Sequence, residues 1–190
     1  MSFLKSLFGK LKNQKQNAKI VLLGPSGAGK TTLVRFLETG EPVEQDPKST
    51  LGIDIRKTPF QMGGWSFKAI DVGGQELYQK TFWALGVDQA DSVIFVLDGT
   101  TKPSEENDKF ENAVFQFEYM LSLVNEDIPI LILVNKQDLK DLEPLSTEAA
   151  IRLYGIDKVG GRSFNVLPSS AKFGDGVEIA MEWMIEKMSE

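Results

Sequence analysis

The chain of 190 residues contains no cysteine and no histidine. Without cysteine there is no disulfide, no thiolate metal site and no prenyl or palmitoyl attachment. Without histidine the commonest general base and metal ligand is missing, so catalysis must use other groups. Long apolar runs are lacking as well. Nothing approaches the ~18 residues of a membrane span. Before residue 18 the longest apolar run is two residues, against the roughly 7–15 of an export signal. Acidic residues are missing from one place. Residues 1–19 carry Lys5, Lys10, Lys12, Lys15 and Lys19 and no acid, a local +5, while the other 16 basic residues share the rest of the chain with all 27 acidic ones, a local −11. An acidic body argues against nonspecific nucleic-acid binding. The basic leader points to an anionic surface or a partner, or is a solvated tail.

What is present fits one soluble domain with a sizeable core, 42% apolar and 25% charged. Apolar, β-branched runs recur at "AKIVLLG" (18–24), "DSVIFVLD" (91–98), "IPILILVN" (128–135) and "SFNVLPSS" (163–170). Continuous runs bounded by turn residues predict strands buried on both faces, as in a parallel sheet. Amphipathic helical patterns lie between them, at roughly 29–39, 106–125, 146–154 and 176–188. This alternation predicts a doubly wound α/β sheet with helices on both faces. "LGIDIRKTPFQ" and "WSFKAIDV", joined by "MGG", predict an antiparallel hairpin.

"GPSGAGKT" (24–31) fits G-x-x-x-x-G-K-[ST] between a predicted strand and a predicted helix. Its glycines let backbone N–H groups close around phosphate oxygens, and the helix N-terminus adds its dipole. The contacts expected from this loop are Gly24, Ser26, Gly27, Ala28, Gly29, Lys30, Thr31 and Thr32. Lys30 offers a charge to the β and γ phosphates, and Thr31 a hydroxyl to Mg²⁺. "DVGGQE" (71–76) follows about 40 residues later. Asp71 can hold the Mg²⁺ shell through water, the Gly74 N–H can meet a γ-phosphate, and Gln75 can orient an attacking water. Thr50, in a proline-containing loop 20 residues after Lys30, can complete the metal shell in the triphosphate state only.

"NKQD" (135–138) ends another predicted strand. The Asp138 carboxylate can accept both N–H donors of a guanine edge, which adenine lacks. Adenine would leave it unpaired at a cost of several kcal/mol. The stem of Lys136 can lie along the base, and Asn135 can join this loop to the phosphate loop. "SSAK" (169–172) follows the last strand; it adds Ser170, Ala171 and Lys172 to the nucleotide set, with the Ala171 N–H facing the guanine O6. Ligands of open α/β sheets gather at such carboxyl ends.

With these elements in order, the sequence resembles the small GTPases, and "DVGGQE", "NKQDL" and the T-L-G loop place it near the Arf-like (ADP-ribosylation factor) branch. The resemblance implies a P-loop small GTPase fold with a six-stranded, mostly parallel sheet, one antiparallel hairpin strand and an N-terminal amphipathic helix. It implies a G domain at 18–190, a helix and linker at 1–17, an exchange factor, an activating protein and effectors as partners, and a monomer. GTP would draw Thr50 and Gly74 inward. The hairpin of residues 51–70 would slide along the sheet and expel the N-terminal helix onto the cytoplasmic face of a membrane. No arginine lies between Arg35 and Arg56, so no internal arginine finger is visible and hydrolysis is expected to be slow unaided.

The chain departs from the family in three respects. Ser26 stands where Arf relatives carry aspartate. Ile53, Ile70 and Leu85 replace the aromatic triad of the effector surface with aliphatic residues. Ser2 replaces the glycine that would be myristoylated. Without a lipid, membrane affinity falls to Phe3, Leu4, Leu7, Phe8 and Leu11, which share one helical face, with Lys5, Lys10 and Lys12 elsewhere. Full burial of the five would give on the order of 8–15 kcal/mol. Partial insertion and the cost of ordering a short helix containing Gly9 reduce this to reversible attachment. A helix that only docks on its own domain is the plainer alternative. For the whole chain, the competing readings are a constitutively GTP-loaded interaction module with vestigial hydrolysis and a P-loop kinase, the latter opposed by "NKQD".

Overall fold

The computed structural model describes residues 16–190 except 46, 48, 49, 51, 56–58, 74, 75, 89 and 107. The expected N-terminal helix, with Phe3, Leu4, Leu7, Phe8 and Leu11, lies outside the described residues, as do Gly74 and Gln75. The strands are β1 (Gln16–Leu23), β2 (Ile53–Ile55), β3 (Phe60–Met62), β4 (Trp65–Val72), β5 (Ser92–Asp98), β6 (Ile130–Asn135) and β7 (Phe164–Pro168). The helices are α1 (Lys30–Thr39), α2 (Glu76–Val87), α3 (Lys109–Leu123), α4 (Thr147–Leu153) and α5 (Val177–Met188).

The sheet runs β2-β4-β1-β5-β6-β7, and β3 also pairs with β4. There are thus six positions across the sheet, the edge position being shared by two short segments, β2 and β3. Both run antiparallel to β4, while the other pairs are parallel. β3 meets β4 through Gly63 and Gly64, at φ 56° and 83°. A two-residue loop with both φ positive is the type I′ geometry that matches the twist of a hairpin, and glycine takes it without strain. β1 begins at Gln16, where it pairs with Trp65, two residues before the start expected from the apolar run.

The central strands are buried on both faces because their side chains alternate between two cores. Val21, Leu23, Val93, Phe95, Ile132 and Val134 face Trp83 of α2, Phe117 of α3 and Ala150 of α4. Ile20, Leu22, Ile94, Val96, Leu131 and Leu133 face Leu33 and Val34 of α1 and Met181 and Met184 of α5.

Two sequence readings need correction. α2 has no counterpart among the expected helices. Trp83, Gly86 and Val87 are buried at helical spacing, but Phe82, Ala84 and Leu85 are apolar too, so the sequence shows no clear stripe. The proposed aliphatic surface patch is also reduced. Leu85 is 62% exposed, whereas Ile70 is only 7% exposed and packs in the core beside a partly buried Ile53. β4 is an interior strand, so Ile70 has helices over it rather than solvent.

Candidate functional site

β1, β4, β5, β6 and β7 all point their carboxyl ends at one edge of the sheet, where the loops after β1, β4, β6 and β7, with Pro47 and Thr50, line a cleft of about 330 Å³. Of the residues expected to bind nucleotide, Ser26, Gly27, Gly29, Lys30, Thr31, Thr32, Thr50, Asn135, Lys136, Asp138, Ala171 and Lys172 line it. Gly24, Ala28 and Ser170 do not; they support the wall from behind.

The loop after β1 needs its glycines. Gly24 has φ 132°, and a Cβ there would lie 2.2 Å from the Val96 carbonyl oxygen. Gly29 has φ 103°, and a Cβ there would lie 2.2 Å from Asn135 Nδ2. The loop therefore hugs β5 on one side and the "NKQD" turn on the other. Lys30 opens α1 and folds back under the loop, its Nζ donating to the carbonyls of Gly24 at 2.7 Å and Pro25 at 2.8 Å. It is 6% exposed. Burial pulls its ammonium down to about 8, against an opposing pull from Asp71. A buried cation hydrogen-bonded to carbonyls is poised to exchange them for an anion.

At the end of β4, Asp71 is fully buried. Its Oδ2 accepts from Thr31 Oγ1 at 2.5 Å and Thr50 Oγ1 at 3.0 Å, and the two hydroxyls are 2.9 Å apart. Its Oδ1 has no partner among the described residues, a condition that costs about 1–3 kcal/mol or more when the group is charged. Thr31 and Thr50 reach the cleft while Asp71 stays behind them. This all-oxygen set suits a hard cation, with the carboxylate one layer behind the two hydroxyls. Among the described residues no three histidine, cysteine, aspartate or glutamate side chains gather to hold a metal. Any cation here would thus share its shell with hydroxyls, water and ligand oxygens.

Gly73 was not singled out by the sequence, yet it sets how closely the Thr50 loop approaches. Its N–H donates to the Gly52 carbonyl at 2.8 Å, and a Cβ on it would lie 2.6 Å from the Thr50 carbonyl oxygen. Trp83, buried in α2, donates its indole N–H to the Gly73 carbonyl at 3.3 Å.

On the far side of the cleft, Asn135 is 2% exposed and joins three loops. Its Nδ2 donates to the Ala28 carbonyl at 2.7 Å, and its Oδ1 accepts from the Ala171 N–H at 2.8 Å. The first bond is the expected link to the phosphate loop. The second differs from expectation: the Ala171 N–H is engaged by Asn135, so a guanine O6 would share that donor. Asp138 Oδ1 accepts from Ser170 Oγ at 2.7 Å, which gives Ser170 a role in aiming the carboxylate rather than in lining the cleft. Lys136 Nζ lies 2.6 Å from Asp98 Oδ2, a partner the sequence did not reveal because 38 residues separate the two.

With this geometry in hand, the chain matches the model of the ADP-ribosylation factor family over residues 4–188. The chain belongs to that family. It is an Arf-family small GTPase, binding GTP and GDP and hydrolysing GTP. ADP-ribosylation factor-like protein 3 of Chlamydomonas reinhardtii is 30% identical to it over 186 residues, covering 97% of this chain and 98% of that one. ADP-ribosylation factor-like protein 1 of Caenorhabditis elegans is 27% identical over 190 residues, covering 100% and 97%. In fold, it resembles the Arl6 BBS3 small GTPase of Trypanosoma brucei with bound nucleotide analogue GppNp. The TM-score is 0.73 at 23% identity, covering 92% of this chain and 98% of that one.

Proposed function

We propose that this Arf-family GTPase is a switch coupling its GTP state to reversible membrane association and effector recruitment at a cytoplasmic surface. The observation that carries the reading is Thr50. Its hydroxyl reaches Thr31 and Asp71, and its loop leans on Gly73 at the head of the "DVGGQE" segment. Two loops that a γ-phosphate would contact are thereby joined through two hydroxyls and one carboxylate. Loss of the γ-phosphate removes a shared partner from both, which is how a small chemical change moves a large segment.

In this reading the residues divide the work. Lys30 leaves the Gly24 and Pro25 carbonyls to meet the β and γ phosphates. Thr31 and Thr50 would offer hydroxyl oxygens to Mg²⁺, with Asp71 behind them accepting hydrogen bonds from those hydroxyls or from bound water. Bound Mg²⁺ would neutralise charge building between the β and γ phosphates. Asp138, aimed by Ser170, accepts the guanine N1–H and exocyclic amine. Gln75 orients the attacking water. An activating protein supplies the missing positive charge, and an exchange factor opens the cleft. Nothing favours the constitutively loaded module over this reading.

The output arm lies within residues 1–17, with Phe3, Leu4, Leu7, Phe8 and Leu11 as the apolar face. Among the described residues no helix is long and apolar enough to cross a membrane, so attachment in this reading is peripheral. The test is co-sedimentation of the full chain with phosphatidylserine-containing liposomes, loaded with GDP or with GppNp. Pelleting should rise several-fold with GppNp and be lost with Leu4→Asp and Phe8→Asp together. Equal pelleting in both nucleotide states would remove the coupling.

A further inference from the structure

Asp98 ends β5 and lies opposite Asn135 in the register of β6. The next residue, Lys136, turns into the left-handed region at φ 66°. That conformation is uncommon for a side chain as long as lysine and persists where surrounding contacts hold it. Here the turn sends Lys136 Nζ back across the strand ends to Asp98 Oδ2 at 2.6 Å. The other carboxylate oxygen, Oδ1, accepts from the Thr100 N–H at 3.0 Å and the Thr100 hydroxyl at 2.7 Å, so Asp98 is braced before it meets the lysine. The pair is partly buried, with side-chain exposures of 29% for Lys136 and 17% for Asp98. Solvent therefore screens it less than a surface pair.

Lys136 lines the nucleotide cleft and Asp98 does not. Asp98 instead lines an adjoining hollow, together with Thr100, Gln116 and Tyr154, and Lys136 lines that hollow as well as the cleft. We infer that Asp98 is a positioning residue for the bound nucleotide, anchoring the Lys136 ammonium so that the stem of the side chain is held extended along the base. This rests on the guanine-nucleotide reading of the cleft. The physical reason is pre-organisation. An unanchored lysine samples many rotamers and must be ordered when nucleotide binds, whereas a lysine already anchored pays less of that entropy. The loss of such a charge pair shows mainly in dissociation.

The experiment measures release of fluorescent N-methylanthraniloyl-GDP from the full chain. Asp98→Asn keeps an acceptor for Thr100 and removes the charge facing Lys136. It should release labelled GDP roughly tenfold faster than the parent. The second variant, Asp98→Glu, retains the charge on a longer stem and should fall between the two. Lys136→Gln should accelerate release as well, and Asp98→Asn combined with Lys136→Gln should be no faster than Lys136→Gln alone. A merely structural Asp98 would instead give multiplying effects in the double variant. Parental release from Asp98→Asn, or multiplying effects, would overturn the inference. Failure of the parent itself to bind labelled GDP would overturn the nucleotide reading beneath it, a separate and recognisable outcome.

Discussion

Removing the Asn135 side chain tests the geometry of the cleft most directly. The amide bonds the Ala28 carbonyl and the Ala171 N–H at 2.7 and 2.8 Å, in a position 2% exposed. Asn135→Ala leaves both groups without a partner. Ala28 and Ala171 are themselves buried, at 0% and 3% exposure, so water reaches neither freely. Each orphaned group costs about 1–3 kcal/mol, which sums to roughly 2–6 kcal/mol. For a chain of this size, each kcal/mol lowers the melting temperature by about 2–4 °C, so a fall of roughly 4–24 °C is expected. Scanning calorimetry with a fixed excess of GDP would measure it, with the nucleotide concentration held constant because ligand alone shifts Tm. Asn135→Asp refines the test: it keeps an acceptor for the Ala171 N–H but turns an oxygen toward the Ala28 carbonyl, so it should destabilise through the phosphate loop alone. A fall of less than about 2 °C for Asn135→Ala would refute the assignment of Asn135 as the buried junction of three loops.

Two further outcomes follow from other parts of the fold. Lys30, drawn down to about 8 in the folded chain from 10.5, binds fewer protons folded than unfolded between those values, so nucleotide-free stability should rise with pH across that window. Relative to Lys30→Met, the nucleotide-free parent should gain about 1–3 kcal/mol between pH 7.5 and 9.5 in urea titrations, and a flat difference would contradict the burial penalty. Arg162 caps the end of α3, donating from Nη1 to the carbonyls of Val124 at 2.7 Å and Asn125 at 3.2 Å and from Nη2 to Leu121 at 3.0 Å. Arg162→Ala should cost about 1–3 kcal/mol by chemical denaturation with GDP affinity unchanged, because the cap lies away from the cleft.

Membership of the P-loop class was legible because it depends on local chemistry. A tight turn between strand and helix needs glycines at given spacings, and phosphate needs a lysine and backbone N–H groups beside it. "GPSGAGKT", "DVGGQE" and "NKQD" therefore carry their meaning within a few residues. The strands were legible for a similar reason: residues buried on both faces leave no polar alternation, so β5 and β6 read as unbroken apolar runs. α2 was not, because its apolar residues exceed what one face can bury, and only packing shows that Trp83 turns inward while Leu85 turns out.

The sequence by itself thus determined the class of ligand, the chain order of the motifs and the alternating architecture. The tertiary structure decided which groups meet. Asp98 and Lys136 are 38 residues apart, and Asn135 and Ala28 are 107 apart. Their contacts depend on the order β1-β5-β6-β7 and on strand register, neither of which is encoded near the residues concerned. Ile70 illustrates the same limit, since its burial follows from β4 lying one strand in from the edge. Local spacing specifies what a loop can bind; the register of a sheet, a property of the whole chain, specifies which side chains hold that loop in place.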